Sequence, residues 1–132
     1  PILGICLGMQ LLANFGSEGS QNCLAEGLNL IEGKVINLKE LGSKLVLPHI
    51  GWNNVIINKK SQILHNVPNN TDFYFVHSYA YSSINKNYII AEANHGINFP
   101  AIINHDHIWG TQFHPEKSSK AGLEIIKNFI TN

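Results

Sequence analysis

At 132 residues the chain is long enough for one domain, and its nine basic and nine acidic side chains leave no net charge. The lack of a positive field argues against nucleic acid or an anionic membrane as a partner. No apolar run approaches the roughly 20 residues of a membrane-spanning helix, and the first residues do not resemble a signal peptide. With two cysteines, Cys6 and Cys23, the composition favours a reducing, cytoplasmic setting.

The first predicted elements are a short strand and a helix. Residues 2–6 are apolar and predict a buried strand, and leucines at helical spacing predict a helix from Leu7 to Phe15. Glycines and serines then predict a loop from Gly16 to Glu26. Because a buried strand needs neighbours at both edges, a chain that opens on one is expected to be the later part of a longer protein.

The middle of the chain predicts strands and few helices. Two short strands are predicted within residues 28–38, separated by Gly33. A turn is predicted at His49-Ile50-Gly51-Trp52, flanked by the stretches 45–50 and 53–57. One helical turn is predicted at residues 61–65. Further strands are predicted at residues 73–77, 88–93, 100–103 and 108–113, the last two pairing across the turn at residues 104–107.

A helix is predicted to close the chain from Ser118 to Ile130. Ser118 or Ser119 is a suitable N-cap. The predicted apolar face consists of Leu123, Ile126, Phe129 and Ile130. A strand and helix at the start, several strands in the middle and a helix at the end together predict a layered α/β fold.

Cys6 lies between two glycines in Gly4-Ile5-Cys6-Leu7-Gly8, where the predicted strand turns into the predicted helix. This pattern is typical of a nucleophile elbow, a sharp turn that exposes the nucleophile. The glycines are expected to leave room for the strained backbone. The alternative is that Cys6 has a structural role as a small buried apolar residue. The flanking glycines are less consistent with that role.

A second segment, Gly110-Thr111-Gln112-Phe113-His114-Pro115-Glu116, supplies a histidine and a carboxylate two residues apart. A thiol nucleophile needs a base, and the base needs a group that orients it. Alternate residues of a strand share one face, so His114 and Glu116 are expected to point into one site. Together with Cys6 they indicate an amide-cleaving cysteine enzyme.

Four segments in this order resemble the class I glutamine amidotransferases, and within them the glutaminase subunits of imidazole glycerol phosphate synthase. They are residues 4–12 around Cys6, Pro48-His49-Ile50-Gly51-Trp52-Asn53, Phe75-Val76-His77-Ser78-Tyr79, and residues 112–118 around His114. The resemblance implies the flavodoxin-like layered α/β fold of that family. Members have several tens of residues before the elbow, including strands and a glycine-rich oxyanion loop. Residues 1–132 are therefore expected to be a partial glutamine amidotransferase domain.

The resemblance also implies roles for individual residues. Cys6 would be the nucleophile, His114 the general base and Glu116 the carboxylate that orients it, while the backbone N–H of Leu7 would be one oxyanion donor. Glutamine would be held by four residues: Gln10, Glu18, Ser78 and Tyr79. The family's glutaminases dock on a (β/α)₈-barrel synthase subunit, and the residues that match its contact surface are Trp52, Asn53, Tyr74 and Lys117.

Three alternatives stay open at this stage. The client could be a sugar-modifying amidotransferase of surface polysaccharide synthesis, the chain could be an inactive remnant that only binds, or it could be a cysteine peptidase of related fold. His105-Asp106-His107 predicts a tight turn and no metal site. His49 and His77 are interpreted as structural hydrogen-bonding residues, and no cofactor is predicted.

Overall fold

The computed structural model describes residues 1–19 and 23–132 of the chain. Within them lie strands β1 to β10 and helices α1 and α2. The strands are Ile2–Ile5, Phe15–Gly16, Ala25–Glu26, Lys34–Asn37, His49–Ile57, Thr71–His77, Tyr79–Ser82, Ile89–Asn94, Asn98–His105 and Ile108–Thr111. The α-helices are Leu7–Leu11 and Ser119–Thr131, and short 3-10 helices lie at Gln62–Leu64, Lys86–Tyr88 and Pro115–Lys117.

The strands form two sheets. The larger has the order β1-β10-β9-β8-β5-β6, and the smaller has the order β3-β2-β4-β7. In the larger sheet β1 pairs parallel with β10, whereas the neighbours from β10 to β6 pair antiparallel. The predicted pairing of residues 100–103 with 108–113 is confirmed by the register of Ile103 with Gly110.

Successive residues of β9 face different parts of the core. Ile102 belongs to the apolar cluster that includes Ile125 of α2, whereas Ile103 packs with Met9 of α1 in a second cluster. Because alternate strand residues point to opposite faces, the two helices cover opposite faces of the sheet. This is the layered α/β arrangement that the sequence predicts.

Several predicted boundaries are wrong. Helix α1 ends at Leu11, and Phe15 lies in β2, where it pairs with Lys34 and Glu26. Only β4 forms within residues 28–38. The predicted turn at residues 49–52 is instead the start of the nine-residue strand β5, which pairs continuously with β6. Gly51 adopts φ +123° there, a backbone conformation that favours glycine, and the strand continues through this residue.

The closing helix forms as predicted, but it buries a different face. Its buried residues are Gly122, Ile125 and Asn128, whereas Leu123 and Ile130 are exposed. Asn128 donates from its amide to the carbonyls of Ile63 and His65, which fixes the rotation of α2. A polar side chain with two carbonyl partners therefore decides the buried face, and hydrophobic spacing alone could not predict it.

Candidate active site

The turn at Cys6 has the conformation of a strained elbow. Cys6 has φ 52° and ψ −107°, and it lies between the last residue of β1 and the first residue of α1. Residues with a Cβ rarely adopt this backbone conformation, and it persists where surrounding structure enforces it. A Cβ at Gly4 would lie 2.5 Å from the carbonyl oxygen of Gly8, so this glycine is required sterically. A Cβ at Gly8 would meet nothing within 4 Å. The expectation that the flanking glycines leave room for a strained backbone therefore holds for Gly4 and not for Gly8.

Two parallel strands bring the cysteine and histidine segments together. Ile5 pairs with Thr111 at the ends of β1 and β10, and the Cys6 N–H donates to the Thr111 carbonyl at 2.8 Å. His114 follows three residues after Thr111. The carboxyl ends of parallel strands are the common location of binding sites in α/β folds. Both predicted catalytic segments therefore begin at the same sheet edge.

His114 and Glu116 are directly bonded. The Nδ1 of His114 lies 2.5 Å from Oε1 of Glu116, and the imidazole is half-buried while the carboxylate is more exposed. Glu116 lies in the 3-10 helix that follows His114, not in a strand. The expected proximity is confirmed, but a tight helical turn produces it. A carboxylate at Nδ1 leaves Nε2 as the nitrogen that can exchange a proton with a nucleophile.

Strand β6 contacts both predicted catalytic segments through its backbone. The carbonyl of Tyr74 accepts from the His114 N–H at 2.9 Å, and the carbonyl of Val76 accepts from the Cys6 thiol at a donor–acceptor distance of 3.8 Å. The Tyr74 N–H donates to Ser118 Oγ at 2.9 Å, and that hydroxyl donates to the His114 carbonyl at 2.6 Å. These bonds hold the histidine segment against β6.

The thiol of Cys6 has a second polar neighbour that the sequence analysis missed. The buried amide of Gln112 donates from Nε2 to the sulfur at 3.8 Å. In the described part of the chain, no hydrogen bond joins the Cys6 thiol directly to His114. Catalytic hydrogen bonds are often long in ligand-free enzymes and shorten when substrate binds. The only available signal for Gln112 was its position two residues before His114.

The surroundings of Cys6 keep its thiol protonated. Burial is the main reason that the pKa of Cys6 lies above its ordinary value, and the negative charges of Glu116 and Glu18 raise it further. The Leu7 N–H and the Gln112 amide oppose this by hydrogen bonding to the sulfur. A thiol with a raised pKa is a poor nucleophile at neutral pH until a base removes its proton.

Two of the four predicted glutamine contacts, Gln10 and Glu18, lie beside the elbow. Leu7, Gln10 and Glu18 line one cavity of about 100 Å³ next to α1. The Gln10 amide donates to the Tyr79 carbonyl at 3.1 Å, so its side chain already has a partner. The Ser78 carbonyl accepts from the Leu38 N–H at 2.9 Å. The loop predicted for residues 16–26 falls partly outside the described residues.

Two of the four predicted partner-contact residues, Trp52 and Tyr74, lie side by side on the β5–β6 pair. Trp52 and Tyr74 are cross-strand neighbours with ring centroids 6.1 Å apart, and Trp52 is 53% exposed. Trp52 is therefore not a core aromatic. Lys117 is also exposed, at the end of the 3-10 helix that carries Glu116. Asn53 is instead half-buried, and its amide donates to the Asn94 carbonyl at 2.8 Å.

Among residues 1–19 and 23–132, no group of three or more His, Cys, Asp or Glu side chains is arranged to hold a metal ion. The turn at residues 105–107 brings His105 Nε2 to 3.6 Å from Asp106, and both groups are at the surface. No α-helix in these same ranges has the length and apolar character needed to cross a membrane.

Comparison with known proteins identifies the family. The family model described as glutamine amidotransferase class-I matches residues 1–132. The chain belongs to the class-I glutamine amidotransferases. Among solved structures, this amidotransferase resembles a Thermoplasma acidophilum protein provisionally assigned as a component of GMP synthase. The TM-score is 0.69 and the identity 23%, over 99% of this chain and 56% of that one. At that identity the likeness establishes the fold alone.

More similar sequences occur among curated proteins. The imidazole glycerol phosphate synthase subunit HisH 1 of Campylobacter jejuni is 46% identical over 130 residues, which are 98% of this chain and 62% of that protein. The HisH subunit of Pelagibacter ubique is 43% identical over 130 residues, 98% of this chain and 61% of its own length. This amidotransferase chain therefore spans less than two thirds of the curated relatives that it matches.

Proposed function

We propose that Cys6 hydrolyses glutamine through a thioester. His114 takes the thiol proton as the sulfur attacks the side-chain carboxamide carbon, and it gives that proton to the nitrogen that leaves as ammonia. Water then attacks the thioester with His114 as base, which releases glutamate and restores the thiol. Glu116 holds the imidazole in the required tautomer, and the Leu7 N–H stabilises the oxyanion.

One observation carries this proposal. A cysteine with a strained elbow backbone and a histidine–glutamate pair bonded at 2.5 Å follow the ends of two adjacent parallel strands. The cavity shared by Gln10 and Glu18 supports a binding site for glutamine beside the elbow, with the carboxylate suited to the substrate's ammonium group.

We further propose that the ammonia serves a synthase subunit that makes imidazole glycerol phosphate in histidine biosynthesis. The similarity to subunits named HisH supports this client. The partner would be a (β/α)₈ barrel that docks on Trp52, Asn53, Tyr74 and Lys117, so that ammonia passes between subunits without entering bulk water. Residues 1–132 would form part of the glutaminase domain, with a second oxyanion donor supplied by the preceding glycine-rich loop of this family.

The other readings have less support. A sugar-modifying amidotransferase would use the same elbow, so only the synthase that stimulates hydrolysis distinguishes the clients. A remnant that only binds has little reason to keep Cys6, His114 and Glu116 together. A peptidase is disfavoured because the cavity beside the elbow is small and carries Gln10 and Glu18.

A glutamine-analogue electrophile tests the chemistry. The full-length protein is incubated with 6-diazo-5-oxo-L-norleucine and examined by peptide mass spectrometry. One adduct per chain is expected on Cys6, and glutamine should protect against it. Cys23→Ser is the matched control and should label normally, because Cys23 is an exposed cysteine away from the elbow. Absence of an adduct on Cys6, or equal labelling of Cys23, would contradict the proposal.

A further inference from the structure

Two buried histidines outside the proposed triad form a directed hydrogen-bond chain. His49 Nδ1 lies 2.9 Å from His77 Nε2, and His77 Nδ1 lies 2.8 Å from the Tyr79 carbonyl oxygen. At the other end, the Asn53 amide nitrogen lies 3.2 Å from His49 Nε2. Both rings are buried against Phe75 and Phe99.

The partners fix the tautomer of each ring. A carbonyl oxygen only accepts, so Nδ1 of His77 carries hydrogen and donates to Tyr79. An amide nitrogen only donates, so Nε2 of His49 accepts and its hydrogen is on Nδ1. His49 Nδ1–H therefore donates to His77 Nε2, and both rings are neutral. Burial lowers the pKa of each histidine to about 4, which keeps this pattern intact at neutral pH.

A second series of hydrogen bonds connects the Tyr79 carbonyl to the Cys6 thiol. The Gln10 amide donates both to the Tyr79 carbonyl at 3.1 Å and to Gln112 Oε1 at 3.2 Å. Gln112 Nε2 in turn donates to the Cys6 sulfur at 3.8 Å. The Tyr79 oxygen thus accepts from His77 on one side and from Gln10 on the other.

Each donor in this chain restricts the group that it contacts, and the Gln10–Gln112 link sets the orientation of the Gln112 amide. If the Gln112 amide turned by 180°, its carbonyl oxygen would face the sulfur and would favour the thiol over the thiolate. The Gln10 donor prevents this by requiring an oxygen at that position. Gln10 is held in turn by the Tyr79 carbonyl, and His77 holds that carbonyl. Gln112 is completely buried, so water cannot replace a lost partner.

We propose that His49 and His77 are positioning residues for the Cys6 thiol. They act through the Tyr79 carbonyl and Gln10 to keep the Gln112 amide donating to the sulfur, which favours the thiolate when the proton leaves. Neither histidine touches the sulfur. The catalytic meaning of this chain rests on the proposed function, in which Cys6 is the nucleophile, but its effect on the thiol is measurable without turnover.

Two isosteric substitutions separate the links of the chain. In His77→Asn, the amide nitrogen replaces Nδ1 and keeps the donor to Tyr79. In His77→Gln, the amide group lies at the Nε2 position, where its oxygen can accept from His49, and the donor to Tyr79 is lost. Both variants lose the same ring contacts with Phe75 and Phe99, so each is the packing control for the other. Each variant is made in the full-length protein together with Cys23→Ser. Cys6 is then the only cysteine among the residues that the structure describes.

The readout is the pH profile of Cys6 alkylation by iodoacetamide, measured without glutamine. His77→Gln is expected to raise the pKa of Cys6 and to slow alkylation at pH 8 by about three- to tenfold, since each pKa unit is a tenfold change in thiolate at pH values below the pKa. His77→Asn should stay close to the parent profile. Identical profiles for the two variants would overturn the proposal.

Two further measurements test the positioning role of His49 and His77 if either variant fails to fold. Gln112→Leu removes the donor at the sulfur itself and should also raise the pKa of Cys6; an unchanged profile would refute the role of the amide. In the unsubstituted protein, ring nitrogen NMR should show hydrogen on Nδ1 of both His49 and His77. Hydrogen on Nε2 of either ring would overturn the chain. Failure of the glutamine analogue to label Cys6 would refute the proposed function while leaving these results interpretable.

Discussion

The carboxylate of Glu116 has two opposing effects on the residues around it. It accepts from His114 and so orients the base, and its negative charge raises the pKa of the Cys6 thiol. The same side chain therefore makes the thiol harder to ionise in the resting protein and makes the base effective during reaction. A single neutral substitution separates the two effects.

Replacing Glu116 with Gln is expected to move turnover and thiol ionisation in opposite directions. Glutaminase kcat should fall by about 10²-fold or more, because the base loses the acceptor that fixes its tautomer. The pKa of Cys6 should fall, because a negative charge that raises it is gone. Steady-state ammonia release and iodoacetamide kinetics provide the two measurements.

A distant carboxylate provides the control for that substitution. Glu124→Gln neutralises a residue of α2 whose described ion pair is with Lys127, and both measurements should stay at the parent values. If turnover and thiol pKa fell equally in Glu124→Gln, the effects at Glu116 would reflect net charge rather than its bond to His114.

The sequence pointed to the proposed catalytic residues more readily than to the residues that bond to them. Cys6, His114 and Glu116 were found because each lies in a short motif whose spacing reflects local geometry. Gln112 and the His49–His77 pair act across 106 and 28 positions of the chain, respectively. Strand pairing creates those contacts, so no local pattern could reveal them. The interpretation of His49 and His77 as hydrogen-bonding residues is confirmed, but their partners could not be predicted.

At the level of elements, the approach of β1 to α1 depends on one glycine. Gly4→Ala would place a Cβ 2.5 Å from the Gly8 carbonyl oxygen, so we expect a loss of about 1–3 kcal/mol in the free energy of unfolding. Gly8→Ala is the control, because its Cβ would meet nothing within 4 Å and alanine favours a helix by about 1 kcal/mol. Urea denaturation of both variants tests this. Equal destabilisation would contradict the steric argument.

The β5–β6 histidine pair makes stability sensitive to acid. The pKa of His49 and that of His77 are lowered to about 4, whereas an unfolded histidine titrates near 6.5. Above about pH 6.5 neither state binds these protons. As pH falls from about 6.5 to 4, only the unfolded state does, so the free energy of unfolding should drop by up to about 1.4 kcal/mol per pH unit for each histidine.

Urea denaturation at several pH values between 7.5 and 4 checks this slope. The double variant His49→Gln, His77→Asn should show a flatter dependence than the parent. His107→Gln changes an exposed histidine in the turn after β9 and should leave the slope unchanged. A parent protein whose stability is constant across this range would disprove the expected effect.

Among the elements, paired strands were predicted well and short or glycine-containing ones poorly. The β9–β10 pair and β6 follow from runs of β-branched and aromatic residues. The first four residues of β5 were predicted to be a turn because glycine at position 51 normally ends a strand, yet pairing with β6 continues through it. Helix α1 stops at Leu11 because the following residues bond to residues 27–33 and to β4 instead of continuing the helix. Such competition between long-range partners is not encoded locally.

At the scale of the whole molecule, the proposed glutaminase activity is expected to depend on the number of oxyanion donors. Residues 1–132 offer the Leu7 N–H, and the family resemblance assigns a second donor to residues that precede the elbow. Losing one such donor costs about 3–4 kcal/mol of barrier. We therefore expect residues 1–132 alone to hydrolyse glutamine at least about 10²-fold more slowly than a full-length subunit. An ammonia-release assay that gave equal rates would refute this.

The exposed Trp52 of β5, with Tyr74 beside it on β6, leads to an expectation about the proposed assembly. Trp52→Ser should weaken binding to the synthase subunit by about 2 kcal/mol or more, as large aromatic residues at interface centres do. Its effect on the melting temperature should be small, because the side chain is half exposed. Leu123→Ser, an exposed substitution on α2, is the control for lost apolar surface. Calorimetric titration that found equal affinities for both variants would contradict the docking surface.

Strand β6 has a consequence for how a bound synthase could influence the reaction. The carbonyls that hold the histidine and cysteine segments belong to Tyr74 and Val76, which stand about 7 Å apart along one extended strand. A force on the Tyr74 side chain would therefore displace the Tyr74 and Val76 carbonyls together, because both belong to the same strand. A proposed partner that docks on Tyr74 would thus be expected to move the Cys6 and His114 segments together, without changing their separation.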